Sequence, residues 1–321
     1  MSKHRILYYE ILQYLPEVVD AMEQSFVVTR LTDPGHDTDN ILRDVEICMA
    51  PLGFPFDRAK IDRCPNLKVI ASSTLSVPHI DVEYAAKKGI RVCWLSEAHK
   101  GFLATITPTA ELTWGLIISI TRNIPWAHKD VCDGKWEGRS FGSRTPRMLS
   151  NMSLGIVGLG RLGTWVASYG KAFGMEVYYF SPTSRDSDYK RCQTLPELAG
   201  SVDIISIHAH HTRDTERMIG AEFLSAMRPG SYLINTARGA IVDEDALLDA
   251  LENGHLGGAA VDVLAAEFEP DFLERLPQNE LVRYAATHQN LIITPHYAGA
   301  TRDAWEMTQT KTIELIKQAL G

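Results

Sequence analysis

The sequence predicts an α/β protein made of two doubly wound parallel-sheet domains with a cleft between them. Three observations carry that expectation. The chain has 321 residues, more than a single hydrophobic core usually organises. Short β-rich runs alternate with helical stretches along its length, the pattern of parallel sheets with helical crossovers. Midway, a glycine-rich turn opens a second series of the same kind.

In the first hundred residues, strands are expected at Arg5–Tyr9, Phe26–Leu31, Val45–Ala50, Leu67–Ser72 and Arg91–Leu95. Pro16–Gln24 and Asp81–Lys88 read as helices, the latter stopped by Gly89. After Met148 the expected strands are Leu154–Val157, Glu176–Phe180, Asp203–His208, Ser231–Thr236, Gly258–Val263 and Leu291–Thr294. Helices are expected at Arg161–Phe173 and Glu244–Glu252, and Thr301–Leu320 closes the chain.

Composition narrows the function classes. A hydrophobic share of 45% with 22% charged residues is that of a folded domain rather than a disordered one. A formal net charge of -8 argues against nucleic acid, which needs a basic face. The five cysteines are scattered, with no CxxC spacing, so neither a disulfide framework nor a zinc site is indicated and a reducing cytoplasm fits. The N-terminus lacks a signal-like apolar run. Leu112–Ile120 is too short to span a bilayer. The expectation is a cytoplasmic protein that binds no membrane.

The first chemical motif is Gly158-Leu159-Gly160-Arg161-Leu162-Gly163, entered from an apolar strand and left by an apolar-periodic helix. In that setting Gly158 permits a tight turn, Gly160 lets backbone approach a pyrophosphate, and Gly163 lets helix and strand pack closely. The helix N-terminus supplies N–H groups and a positive dipole end for the anion. This is the dinucleotide turn of a Rossmann domain. An NAD site usually places Asp or Glu at the end of the next strand. Here Phe180 is followed by Ser181, Pro182, Thr183, Ser184 and Arg185. A carboxylate would repel a 2′-phosphate, whereas these side chains can donate to one, so the choice between NAD and NADP tilts toward NADP.

Three further stretches end expected strands and gather at the same sheet edge. They are Asn235-Thr236-Ala237-Arg238-Gly239, Asp262-Val263 with Glu267 beyond it, and Thr294-Pro295-His296-Tyr297-Ala298-Gly299. With the glycine turn they resemble the D-isomer-specific 2-hydroxyacid dehydrogenases, tightly from Gly155 to Thr301 and loosely in the first hundred residues. The resemblance implies a Rossmann cofactor domain plus a flavodoxin-like substrate domain, and hydride transfer between a nicotinamide cofactor and a small 2-oxo or D-2-hydroxy acid. It implies that Arg238 grips the carboxylate, that His296 is the acid/base, and that Glu267 pairs with His296. It also implies cofactor contacts at Leu159–Leu162, Thr236, Arg238 and Asp262, to which Ala237, His208, His296 and Gly299 are added. The chemistry agrees. Arg offers a carboxylate a planar bidentate fork, and carbonyl reduction needs a proton donor within reach of the oxygen.

The sequence also departs from the family. Where the family has a glycine-rich carboxylate loop, this chain has Ser73, Thr74, Leu75 and Ser76, whose hydroxyls are expected to add substrate contacts. Glu269 rivals Glu267, although the offset from Asp262 favours Glu267. Ala50–Phe54 lacks the Arg of phosphoglycerate enzymes, which lowers a phosphorylated substrate. His99 or Lys100, in a segment at 96–103 that looks lengthened, can reach a second anionic group or lie in a solvated hinge. Residues 271–289 are expected to add a helical excursion. His210 replaces a usual Pro beside the cofactor. With His208 and His211 it forms a histidine cluster that no nearby Asp, Glu or Cys completes into a metal site.

The expected division is 1–102 with 298–321 as substrate domain and 103–297 as the NAD(P)-binding domain. The apolar helix Ala110–Ile120, with Trp114 and Trp126, suits a homodimer interface. The alternatives are a non-catalytic NAD(H)-sensing regulatory protein on the same scaffold, or a related oxidation such as that of phosphite.

Overall fold

The computed structural model describes residues 3–136, 145–269 and 271–321. Pro270, beside the Glu267 motif, lies outside them. The chain divides into two compact units, Met1–Ile106 with Ala300–Gly321, and Thr107–Gly299. Both are α/β with an all-parallel sheet.

The first unit has strands β1 (Arg5–Tyr9), β2 (Val27–Leu31), β3 (Ile47–Met49), β4 (Val69–Ala71) and β5 (Arg91–Cys93), in the order β2-β1-β3-β4-β5. Five helices belong to its N-terminal stretch: α1 (Pro16–Ser25), α2 (Asp39–Asp44), α3 (Arg58–Asp62), α4 (Val82–Lys87) and α5 (Lys100–Leu103). Strand alternation sends Ile6 and Tyr8 to one face and Leu7 and Tyr9 to the other. Both faces are covered: Ile6 and Tyr8 pack with Val18, Met22, Ile313 and Ile316, and Leu7 and Tyr9 with Leu42, Ile61 and Ala85.

The second unit begins with α6 (Pro108–Thr121) and α7 (Ile124–Cys132). Next come β6 (Ser153–Val157), α8 (Arg161–Ala172), β7 (Glu176–Phe180), β8 (Lys190–Arg191), α9 (Leu195–Ser201) and β9 (Ile204–Ile207). It continues through α10 (Ala221–Ala226), β10 (Ser231–Asn235), α11 (Glu244–Glu252), β11 (Leu256–Val261), α12 (Phe272–Arg275), α13 (Glu280–Thr287) and β12 (Leu291–Ile293). Helix α14 (Arg302–Leu320), capped by the Thr301 hydroxyl, returns to pack on β4 and β5 of the first unit.

The second sheet runs β12-β11-β10-β9-β6-β7-β8. Strand order reverses between β6 and β9, and ligands of such sheets bind outside the carboxyl ends at that switch point. The sequence-expected strands and long helices are all present within a few residues. Helices α2, α3, α9 and α10, each of five to seven residues, were not anticipated; they are too short for a helical period to register. Residues 271–289 do form an excursion, α12 and α13.

One expectation needs refinement. Lys100–Thr121 is 22 residues long and contains an 18-residue window of mean hydropathy 1.3, long and apolar enough by composition to cross a membrane, although Leu112–Ile120 alone is not. In the structure α6 lies against β10, β11 and β12, and Ala110, Leu116, Ile117 and Ile120 are buried. Its apolarity is that of a core helix.

The first unit also contains a buried ionic triad. Lys60 Nζ lies 2.7 Å from Asp37, with side chains only 10% and 4% exposed. It donates to the Tyr9 hydroxyl at 3.0 Å, and that hydroxyl donates to Asp37 at 2.8 Å. Removing one member of a buried pair strands the other charge. Lys60→Ala should therefore cost roughly 3–5 kcal/mol. Replacing all three groups with apolar residues (Lys60→Met, Asp37→Leu, Tyr9→Phe) should cost much less. Urea unfolding of the two proteins checks this; an equal loss in both would show that charge stranding is not the cause.

Candidate active site

The site is built on strand ends of the second sheet. β6 delivers the chain into the glycine turn. Gly158 has φ +93, a conformation that L side chains rarely adopt, and a Cβ there would stand 2.9 Å from the His208 carbonyl. A Cβ on Gly163 would stand 2.2 Å from the Gly158 carbonyl oxygen. Those two glycines are required by the protein's own packing. Gly160 is different: among the described residues a Cβ on it would meet nothing within 4 Å, and its backbone is extended (φ -89, ψ -158). Neither packing nor conformation demands glycine there. The space it leaves open lies at the N-terminus of α8, where backbone N–H groups favour an anion. The residues therefore fit the pyrophosphate of a dinucleotide. Arg161 and Leu162 form the first turn of α8.

Beside the turn, β9 ends at His208, whose Nε2 is hydrogen-bonded to the buried Ser206 hydroxyl at 2.9 Å. Burial pushes its ring down to about 4. At neutral pH His208 is thus uncharged, and the helix N-terminus rather than this histidine supplies positive potential at the turn. His210 and His211 are exposed.

At the end of β7, Ser181 is buried (5%) while Thr183, Ser184 and Arg185 are exposed. The loop is pinned by the Tyr179 hydroxyl, which is within 3.2 Å of both the Arg185 N–H and its carbonyl. Arg191, not singled out from sequence, donates to the Ser181 carbonyl at 3.3 Å and, among the described residues, its buried Nε has no partner. It stands on β8, a two-residue strand that pairs Arg191 with Tyr179 and carries no readable period.

β10 ends in a side-chain-stabilised turn. Asn235 accepts from Ala237 N–H and donates to the Arg238 carbonyl, both at 3.0 Å. This presents Arg238 to solvent, its guanidinium touching the Ala237 carbonyl at 2.6 Å. The Thr113 hydroxyl donates to Thr109, so the Thr236 hydroxyl 2.7 Å away donates to Thr113.

β11 ends at Asp262, which is 0% exposed. Its carboxylate accepts from the Thr294 hydroxyl at 2.5 Å, Tyr297 N–H at 3.2 Å and Ala298 N–H at 2.9 Å. The His296 N–H donates to the Asp262 carbonyl at 2.8 Å. Asp262 thereby holds the turn on which His296 stands at φ +48, a conformation unusual for a non-glycine residue. His296 Nδ1 lies 2.9 Å from Glu267 Oε1, with side chains 35% and 11% exposed. As an acceptor, the carboxylate places the proton on Nδ1 and leaves Nε2 as the outward nitrogen. Glu269 instead pairs with Arg275. The choice between the two acids follows from Ala266, whose left-handed φ of +59 turns the chain so that Glu267 meets the imidazole. Phe268 sets its ring edge-on to His296, with centroids 5.6 Å apart. Gly299 is exposed just beyond.

In the first unit, the hydroxyls of Ser73 and Thr74 bond to the protein's own groups. Ser73 is bonded to the Tyr14 hydroxyl, and Thr74 donates to the Ser76 carbonyl at 2.6 Å. Among the described residues the N–H groups of 73–76 have no protein acceptor. The loop therefore offers backbone N–H groups, where side-chain donors were expected. Leu75 is 52% exposed. In the segment at 96–103, His99 Nδ1 accepts from the Ser96 N–H at 3.3 Å.

The glycine geometry makes a separable prediction. Gly163→Ala should destabilise the protein by about 1–3 kcal/mol, because the clash is with backbone. Gly160→Ala should leave the melting temperature close to wild type and weaken NAD(P)H binding about tenfold or more. Thermal denaturation and nucleotide titration decide it; unchanged nucleotide affinity in Gly160→Ala would remove the anion assignment.

Comparison with known proteins accords with this geometry. Residues 114–298, more than half of the chain, match the model of the D-isomer specific 2-hydroxyacid dehydrogenase NAD binding domain. The chain is 32% identical to a glyoxylate reductase of Thermococcus litoralis, across 97% of this chain and 93% of that protein. It is 36% identical to the D-3-phosphoglycerate dehydrogenase of Bacillus subtilis across 76% of this chain but 43% of that protein. The chain thus spans about half the length of its phosphoglycerate dehydrogenase relatives. Among solved structures, the D-lactate dehydrogenase of Aquifex aeolicus, complexed with NAD and lactic acid, superposes with TM-score 0.81 at 28% identity, covering 99% of this chain and 95% of that one. The chain belongs to the D-isomer specific 2-hydroxyacid dehydrogenase family.

Proposed function

We propose that the chain is an NAD(P)-dependent dehydrogenase that reduces a small, unphosphorylated 2-oxo acid to the D-2-hydroxy acid. The observation that carries this reading is the Glu267–His296 pair, 2.9 Å apart. It sits on strand ends of the sheet that also bears the glycine turn and Arg238. The names of the relatives, a glyoxylate reductase and a D-lactate dehydrogenase, support the substrate class.

When bound, the nicotinamide supplies the hydride for the carbonyl carbon. Gly158, Gly160 and the first turn of α8 would hold the dinucleotide. The chain's own groups do the rest. Arg238 donates to the substrate carboxylate, and its planar fork fixes the orientation of the acid. His296 Nε2 donates a proton to the carbonyl oxygen as it becomes a hydroxyl, and takes it back in the oxidative direction. Glu267 holds the ring through Nδ1 and compensates the charge of the imidazolium.

For the cofactor we infer a preference for NADP. The end of β7 presents Thr183, Ser184 and the exposed Arg185 rather than a carboxylate, with Arg191 against the same loop. A reductase of this fold solved with NADP and malonate, from Sinorhizobium meliloti, supports that choice. We also infer a homodimer. Ile124 and Val131 on α7 and Phe173 after α8 remain 47–49% exposed, on helices that both pack against α6.

Two measurements test the reading. In a panel of glyoxylate, hydroxypyruvate and pyruvate with reduced cofactor, at least one acid should be turned over, and His296→Gln should lower kcat by about 10²–10⁴-fold. Turnover of none, or full activity in His296→Gln, would overturn the reading. Separately, NADPH should be preferred to NADH, and Arg185→Ala should raise KM for NADPH about tenfold while leaving that for NADH unchanged. A preference that survives the substitution removes Arg185 from cofactor selection.

A further inference from the structure

The segment bearing Glu267 is held from below by a second acid. Glu244 is the first residue of α11, and its Oε1 accepts the Ala265 N–H at 2.6 Å. Burial and the nearby charges of Asp245 and Glu267 push its carboxyl up, so this carboxylate is kept where water solvates it poorly. Asp243 is the residue that caps α11, through the Ala246 N–H at 3.3 Å. Glu244 is therefore not the helix cap; its contact is to a loop 21 residues further on.

That loop is clamped from a second side. A Cβ on Gly239 would stand 2.1 Å from the Leu264 carbonyl carbon and 2.3 Å from Ala265 N. The Arg238 turn thus presses directly on the backbone at Leu264–Ala265. Beyond the clamp, Ala266 takes its left-handed conformation and Glu267 meets His296 at 2.9 Å. Close packing by Gly239 fixes where the segment lies; the Glu244 hydrogen bond fixes the orientation of its peptide plane. A left-handed alanine is held only when its surroundings over-determine it.

We propose that Glu244 is a positioning residue for the proposed reaction, setting through the Ala265 N–H the turn that aims Glu267 at His296. Its own contact is to the Ala265 backbone rather than to His296. The inference rests on the assignment of His296 as acid/base, and its consequence is specific. Loss of the Glu244 acceptor frees the Ala265 peptide, the Glu267 carboxylate drifts from Nδ1, and the imidazole loses its fixed tautomer. An error of about 1 Å in such a group costs up to roughly 10²-fold in rate.

The test compares Glu244→Ala, Glu244→Gln, Glu267→Gln and the Glu244→Ala/Glu267→Gln double variant, with His296→Gln as control. Glu244→Ala should lower kcat at least about tenfold with KM for cofactor unchanged. Glu244→Gln, which keeps an oxygen acceptor, should recover most of the rate. In the Glu267→Gln background the Glu244→Ala change should add little, because the two act through one contact. Nitrogen-15 spectra of histidine-labelled protein, assigned by His296→Gln, supply a readout free of turnover: one Nδ1–H tautomer in wild type and Glu244→Gln, mixed tautomers in Glu244→Ala. Wild-type kcat and a single tautomer in Glu244→Ala would overturn the proposal, as would fully additive losses in the double variant. A wild type without turnover, or an active His296→Gln, would instead overturn the catalytic reading, and the tautomer spectra would still judge Glu244.

Discussion

The second unit turns on one buried carboxylate. Asp262 has no exposed surface, and its oxygens accept from a hydroxyl and two backbone N–H groups of the Thr294–Ala298 segment. A buried carboxylate without partners would cost several kcal/mol; three donors offset that cost and in return are themselves fixed. Those donors flank His296. A residue at φ +48 carries a penalty of about 1–3 kcal/mol, and the hydrogen bonds from both sides of it to Asp262 hold it there. The resemblance to known dehydrogenases gave Asp262 a contact with the cofactor. In this structure its oxygens accept from the protein's own chain, which shapes the turn that presents the imidazole.

Parallel topology explains why such a turn lies beside Arg238 and the glycine turn. Every strand of the sheet ends at the same edge, and consecutive ends deliver Gly158, His208, Arg238, Asp262 and Thr294 along it. His208 is uncharged at neutral pH because burial disfavours its protonation. Arg238 is the exposed cation of the β10 turn. A helix N-terminus therefore serves one anion and a guanidinium another, which separates the demands of a dinucleotide from those of a carboxylate.

Much of this was legible in the sequence because it is local. The glycine turn, the Arg238 turn and the His296 segment are contiguous stretches whose residue types announce their backbone, and strand ends follow from apolar runs. What was not legible depends on residues distant in the chain. Ser73 and Thr74 look like substrate donors until Tyr14, 59 positions earlier, is seen to take the Ser73 hydroxyl. Arg191 belongs to a strand too short to show a period. The offset from Asp262 favours Glu267 over Glu269 in sequence, but the left-handed turn at Ala266 that accompanies the split, with Glu267 at His296 and Glu269 at Arg275, is visible only in the structure.

Two left-handed residues, Ala266 and His296, lie at the acid/base pair and are held by two different carboxylates. Asp262 stabilises the turn at His296 through three hydrogen bonds; Glu244 stabilises the turn at Ala266 through one, aided by the close approach of Gly239. Neither carboxylate lies beside its target in sequence, and each anchors backbone rather than side chain. Backbone anchoring has a physical advantage here. A hydrogen bond to a peptide N–H fixes φ and ψ, and through them the direction in which the next side chain leaves the chain, whereas a bond to the side chain itself would compete with the contact it must make. Glu267 thus meets His296 through Nδ1, which leaves Nε2 as the outward imidazole nitrogen.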